Sequence, residues 1–221
     1  MPAAAAPTPH KNLGGRPTRE ASAALADLIL DTAWRLFVEH GYKQLKVDQI
    51  AKDAAVSKRT IYDRFESKEV MFEALVTRAS ARWAAQTSAV YEASSRGDWL
   101  SPFVRHLLEL MGSKDFRALT SFITTEGHDF PEAVKARFAV GDESLAGLAN
   151  YFEARIEKYP AGKDGILLAR TVLVHIGGWA TLFPDAQPRV AEPQIRDRVA
   201  REVRALLDLY GCGALRAAPR K

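Results

Sequence analysis

The sequence predicts an all-α protein, a small N-terminal helical domain followed by a larger helical one, on three observations. Apolar residues recur at the three-and-four spacing of amphipathic helices over most of the chain. Breaks fall at Gly41, Gly127, Pro131, Pro160 to Gly162, Pro184, Pro188 and Pro193, which punctuates the chain into helix-sized pieces. No convincing run of alternating β-branched residues occurs, so nothing reads as a strand.

Each element has its own signal. From Glu20 to His40, Leu25, Leu28, Ile29, Ala33, Leu36 and Phe37 form one apolar stripe, and Gly41 stands where a helix ends in a C′ glycine. Val47, Ile50, Ala51 and Ala54 suggest a second, short helix. Ile61 and Phe65 suggest a third after Ser57, whose hydroxyl can accept from a free N–H of the first turn. Ser67 caps a long fourth pattern through Phe72, Leu75, Val76, Ala79 and Trp83 to about Ala93. Further helices are predicted over 99–112, 114–125, 131–158, 163–182 and 192–210. The implied organisation is a basic arm (1–19), a three-helix domain (20–67), a helical body (68–213) and a tail (214–221), with no repeat of solenoid period.

Composition removes several classes of function. With 221 residues, 47% hydrophobic and 26% charged, the chain has apolar material for a sizeable core and is unlike a disordered or collagen-like protein. A single cysteine, Cys212, leaves no intramolecular disulfide and no CxxC motif, which suits a reducing cytoplasm. No uninterrupted apolar run reaches the roughly 18 residues that span a bilayer. The opening MPAAAAPTPH has no basic region leading into an apolar one, so it reads as a flexible tail and not as a signal peptide.

The net charge of +4 is modest, but its placement is informative. Residues 1–19 hold Lys11, Arg16 and Arg19 with no acid, whereas residues 20–67 hold seven basic and eight acidic side chains. An arm of this kind can reach a phosphate backbone or a narrow minor groove. The same composition also describes a plain solvated tail.

The most specific stretch is IAKDAAVSKRTIYDRF, beginning at Ile50. Two helices joined by a three- or four-residue turn cross steeply, and only a small side chain fits at their closest approach. Ala51 is that residue, Ile50, Val56 and Ile61 fill the wedge, and Lys58, Arg59, Thr60, Tyr62 and Asp63 are left on the outer side of the second helix. This is the arrangement in which a helix enters a major groove.

These residues resemble the TetR/AcrR family of bacterial transcriptional repressors. The similarity covers residues 14–75: Leu36-Phe37, Gly41-Tyr42, Val47-x-x-Ile50-Ala51, Ala54-x-Val56-Ser57-Lys58-x-Thr60-Ile61-Tyr62-x-x-Phe65 and Ser67-Lys68-Glu69. The resemblance implies a homodimer whose N-terminal heads bind a palindromic double-stranded DNA operator and whose helical bodies sense a small-molecule effector. It implies that Lys58, Arg59 and Thr60 face base edges or nearby phosphates, that the Tyr62 hydroxyl meets a phosphate, and that Lys68 meets the backbone. Packing and capping remain the other readings of Thr60 and Tyr62. Gly14-Gly15-Arg16-Pro17 looks like the family's arm, in which Arg16 enters a minor groove.

Three positions depart from the pattern. Lys46 replaces the usual Ser or Thr before the second helix, so the side-chain cap is missing. Asp48 can offset this through the helix dipole, and Lys46 itself becomes a candidate phosphate contact. Asp63 puts an acid on the reading face. Ala55 stands where the turn often has glycine, so the turn is either strained or differently shaped.

In the body, Trp83, Trp99, Phe103, His106, Phe122 and Trp179 are candidates to line an apolar pocket, with His106 or Glu126 as polar anchor. Residues 163–182, through Leu167, Leu168, Thr171, Val172, Val174, His175 and Trp179, and residues 192–210, through Ile195, Val199, Val203, Leu206 and Tyr210, are candidates for a four-helix dimer interface. Catalysis is not expected. Glu126, His128 and Asp129 have no recognised metal spacing, and GxSxG, Walker A and GxGxxG motifs are absent. No cofactor or metal is implied. A ligand-independent DNA-binding or architectural module, whose body only dimerises, is the alternative to an effector-released repressor.

Overall fold

A computed structural model of the chain describes residues 18–93, 99–155, 164–182 and 192–210. Among the described residues there are nine α-helices and no strand: α1 Arg19–His40, α2 Val47–Asp53, α3 Lys58–Phe65, α4 Lys68–Ala93, α5 Leu100–Gly112, α6 Lys114–Thr125, α7 Pro131–Arg155, α8 Gly165–Leu182 and α9 Pro193–Leu209. A 3₁₀ turn, Gly127–Asp129, joins α6 to α7. The all-α expectation holds, and the predicted helices are found within a few residues of their expected ends. Residues 156–158 of the predicted 131–158 helix lie outside the described residues, as do Arg16, Cys212 and the tail.

Local chemistry sets the boundaries in the N-terminal part. Thr18 caps α1 by accepting from the Ala21 N–H, and Gly41, at φ 76°, closes it with its own N–H on the Phe37 carbonyl. The α2–α3 turn passes through Ala55 at φ 54°, so this alanine does take the left-handed conformation. The Val56 N–H closes the turn on the Ala51 carbonyl at 2.9 Å. Ile50, Ala51 and Ile61 are buried in the wedge between the two helices, and Val56 is partly buried beside them.

Two apolar cores organise the packing. The first joins Ile29, Phe37, Ile50, Ile61, Phe72 and Val76 of α1 to α4 with Leu119 and Phe122 of α6 and Ala133 of α7. The head therefore shares a core with the start of the body. Its centre is a ring cluster in which Phe72 lies 4.7 Å from Tyr42, 5.0 Å from Phe37 and 4.7 Å from Phe122, while Phe130 lies 4.5 Å from Tyr42. Inclined contacts of this kind add about 0.5–1.5 kcal/mol each beyond burial. Polar ties close the same unit: Arg35 to Asp53 (2.6 Å), Arg64 to the Ser22 carbonyl (2.6 Å), Arg78 to Asp31 (2.6 Å) and the Trp34 indole N–H to Asp115 (2.9 Å).

The second core packs α5, α7, α8 and α9 through fully buried Phe103, Leu108, Phe152, Leu168, Val172, Val199 and Val203. Of the candidates for a dimer face, Leu168, Val172, Val199 and Val203 thus belong to this intrachain core. Leu167 and Val174 face outward, Val174 with 67% of its surface exposed. Among the described residues no helix is long and apolar enough to cross a membrane.

Candidate nucleic-acid interface

The candidate reading surface is built on α3, an eight-residue helix held at both ends. At its start, Ser57 Oγ accepts the Thr60 N–H at 3.0 Å and lies 2.8 Å from Thr60 Oγ1. This satisfies a donor that would otherwise be orphaned. Ile61 and Phe65 bury one side of the helix, and Arg64 bridges it to α1 through the Ser22 carbonyl and hydroxyl. Lys58, Arg59, Tyr62 and Asp63 are left in solvent.

The exposed cations already have partners. Lys58 Nζ stands 2.9 Å from Asp48 Oδ1, and Arg59 Nε 3.6 Å from Asp63 Oδ2. Asp48 holds the Lys58 ammonium above its ordinary value, so it is firmly charged at neutral pH. Exposed pairs of this kind contribute about 0–1 kcal/mol, so a phosphate or a guanine edge can compete for either cation at little cost. Tyr62 is 45% exposed. The Thr60 hydroxyl is engaged by Ser57, in line with the capping reading of this residue.

Lys46 precedes α2 in extended conformation, exposed and without a side-chain cap, with Asp48 in the first turn. Lys68 opens α4, but its ammonium donates to the Tyr42 carbonyl at 3.0 Å and lies 3.9 Å from the Tyr42 ring centroid. Burial pushes this ammonium below its ordinary value. The Tyr42 hydroxyl donates to Glu69 at 3.2 Å, and burial together with that carboxylate pushes the phenol well up. Spacing did not reveal the Asp48–Lys58 pair, the Arg64 anchor or the Tyr42–Lys68–Glu69 network, because each joins separate segments of the chain.

The seven residues proposed to line a pocket do not converge. Trp83 and Phe122 belong to the first core: Trp83 lies against Trp34 and Phe116, and Phe122 against Phe37, Tyr42, Phe72 and Phe130. Trp99 and Phe103 belong to the second, with Trp99 also against Tyr151 and Phe152. His106, partly buried, meets Thr87 Oγ1 at 3.2 Å. Glu126 stands 3.8 Å from Lys43. The Trp179 indole donates to Glu202 at 2.8 Å, the carboxylate that also meets His175 at 3.0 Å. Apolar periodicity selected buried aromatic residues, and most of them are core.

A capped helix-turn-helix carried by a larger helical body defines a class of regulatory protein, and comparison with known proteins agrees. Residues 29–75 match the family described as bacterial regulatory proteins, tetR family. The chain is 32% identical over 120 residues to the HTH-type transcriptional repressor AcnR of Corynebacterium efficiens, a match covering 50% of this chain and 62% of that one. It is 28% identical over 142 residues to the HTH-type transcriptional repressor ComR of Escherichia coli, covering 61% and 68%. Among solved structures it is similar to Salmonella enterica GusR, with a TM-score of 0.68, 21% identity and coverage of 84% and 96%. A TetR-family transcriptional regulator from Mesorhizobium loti also has a TM-score of 0.68, with 22% identity and coverage of 88% and 97%. Residues 29–75 thus match the tetR family of bacterial regulatory proteins, and the fold as a whole is the one seen in these solved structures.

Proposed function

We propose that the protein is a homodimeric, non-catalytic repressor that binds a palindromic operator and leaves it when a small effector enters the body. The observation that carries this reading is α3, capped by Ser57 and tied down by Arg64, with Lys58, Arg59 and Tyr62 in solvent. Lys58 and Arg59 can donate to guanine O6 and N7, and Tyr62, Lys46 and the arm's Arg16 can meet phosphates or a minor groove. Two copies of α3 read successive major grooves when they stand about 34–36 Å apart.

The outward Leu167 of α8 supports a second copy as the neighbour of its face. Release follows from α4, which runs unbroken from the head into the body, so an effector that favours one pose of α4 changes the spacing of the heads. The names of the curated relatives, both repressors, support this reading over an enzyme. A reducing cytoplasm, where such an operator is accessible, is the compartment it implies.

The test is binding to a palindrome from the DNA flanking the protein's own gene, against scrambled duplex, with dimerisation followed by mass. The double change Lys58→Ala and Arg59→Ala is expected to weaken operator binding by about a hundredfold, since each base contact is worth about 1–3 kcal/mol. Equal affinity for both duplexes with a steep salt dependence would favour the architectural module instead.

A further inference from the structure

Arg137 of α7 is the unusual charge in the body. It is partly buried, and its guanidinium carbon lies 5.5 Å from the Phe116 ring centroid. Among the described residues no carboxylate pairs with it. The acid beside Phe116, Asp115, is committed to the Trp34 indole at 2.9 Å and lies 3.9 Å from Arg82. Burial lowers the tendency of Arg137 to hold its proton, yet a guanidinium stays charged, so an unpaired positive charge sits partly withdrawn from solvent. One turn along α7, Gly141 leaves space beside it: a Cβ there would meet only the Arg137 Nη1, at 3.7 Å.

Phe116 has a second neighbour. With Met111, Thr120, Val174, Gly177 and Ala180 it lines a mostly apolar hollow of about 420 Å³ between α6 and α8. Arg117 lines it as well. This volume suits a small organic molecule. The Phe116 ring is thus a wall shared by the hollow and the unpaired guanidinium.

We infer that Arg137 anchors the acid group of the effector, and that the effector is an organic acid whose apolar or aromatic part occupies the α6–α8 hollow after displacing the Phe116 ring. This deepens the reading of the body as an effector-binding domain and rests on it. A carboxylate supplies the counter-charge and the paired acceptors that the planar guanidinium lacks, and the hollow supplies the apolar contact. A neutral ligand of the same shape leaves the guanidinium unpaired.

The test uses the full chain without DNA. Hexanoate, octanoate, decanoate and phenylacetate are titrated beside their alcohols, following tryptophan fluorescence, since Trp83 lies 5.2 Å from Phe116 and 5.8 Å from Trp34. At least one acid is expected to bind saturably and about tenfold more tightly than its alcohol, the factor that one charge-assisted contact supplies. Arg137→Gln is expected to remove that preference, and Arg137→Lys to keep part of it.

Arg137→Met is expected to raise the melting temperature of the ligand-free protein, because an uncompensated charge is replaced by an apolar chain of similar length. The inference is overturned if no acid binds, if acid and alcohol bind alike, if the preference survives Arg137→Gln, or if Arg137→Met lowers the melting temperature. An acid that binds through Arg137 without weakening operator binding would sink the release mechanism and leave the acid site standing.

Discussion

The head and the body are both built from amphipathic helices around an aromatic-rich core, yet they differ in where their functional residues come from. In the head the reading surface lies within eight consecutive residues, and a local rule fixes each one: Ser57 caps, Ile61 and Phe65 bury, and Lys58, Arg59 and Tyr62 are what remains outside. In the body the notable features, the unpaired Arg137 and the hollow beside Phe116, come from α5, α6, α7 and α8 together. A surface made by one short helix follows from spacing. A site made by several helices follows only from how they pack.

The boundary between these regions is where the comparison breaks most easily. Phe122 belongs to α6 but is buried against Phe37, Tyr42 and Phe72. Phe122→Ala is expected to destabilise the protein by about 3–5 kcal/mol, with hydrogen exchange rising in α1 to α3 before α8 and α9. Exchange rising first in α8 and α9 would mean that the head holds together without α6.

Within the head, Ser57→Ala removes the acceptor for the Thr60 N–H and is expected to cost about 1 kcal/mol in denaturant unfolding, while weakening DNA binding by misplacing Lys58 and Arg59. Unchanged stability would show that solvent satisfies that donor equally well. Ala55→Gly acts in the opposite direction. Relief of the left-handed alanine is expected to stabilise by up to about 1 kcal/mol, less the added chain entropy of glycine, seen as a higher melting temperature. A fall would mean that the turn gains more from the stiffer residue than it loses to strain.

The smallest effect is a pH dependence confined to the body. Burial pushes His106 below its ordinary value, against a weaker opposing pull from Glu109. The folded protein therefore favours the neutral ring, and the unfolded chain takes up the extra proton. Stability from this residue is complete above the ordinary histidine value of about 6.5 and is lost as the pH falls below it. His106→Gln is expected to flatten the fall of melting temperature between about pH 7 and pH 5, and an identical slope in the variant would exclude His106 as its source.

Much of the head was legible in the sequence because its determinants are short-range. The end of α1 at Gly41, the Ser57 and Ser67 caps, the small residue at Ala51 and the apolar wedge all act over one or two turns. Lys68 shows the limit of such reading: its place at the start of α4 was legible, but its hold on the Tyr42 carbonyl depends on how α4 meets the loop after α1. Trp83 and Phe122 read as pocket residues in the sequence because aromatic residues on an amphipathic helix suit a pocket or a core equally well. Both are core. Arg137 carries no local signal, since a lone arginine on a long helix is ordinarily solvated.

By itself, the sequence determined the helical class, the order and approximate ends of the helices, and the face that α3 turns to solvent, because periodicity, caps and left-handed turns are properties of neighbouring residues. Only the tertiary structure decided that α6 completes the core of the head, that Lys58 is held by Asp48, and that Arg137 is left without a counter-charge. Of these, the core and the Arg137 setting depend on distances between helices far apart in the chain, and the Lys58 pair on how two helices cross at a turn. Burial and charge pairing are decided by those distances, which no local pattern encodes.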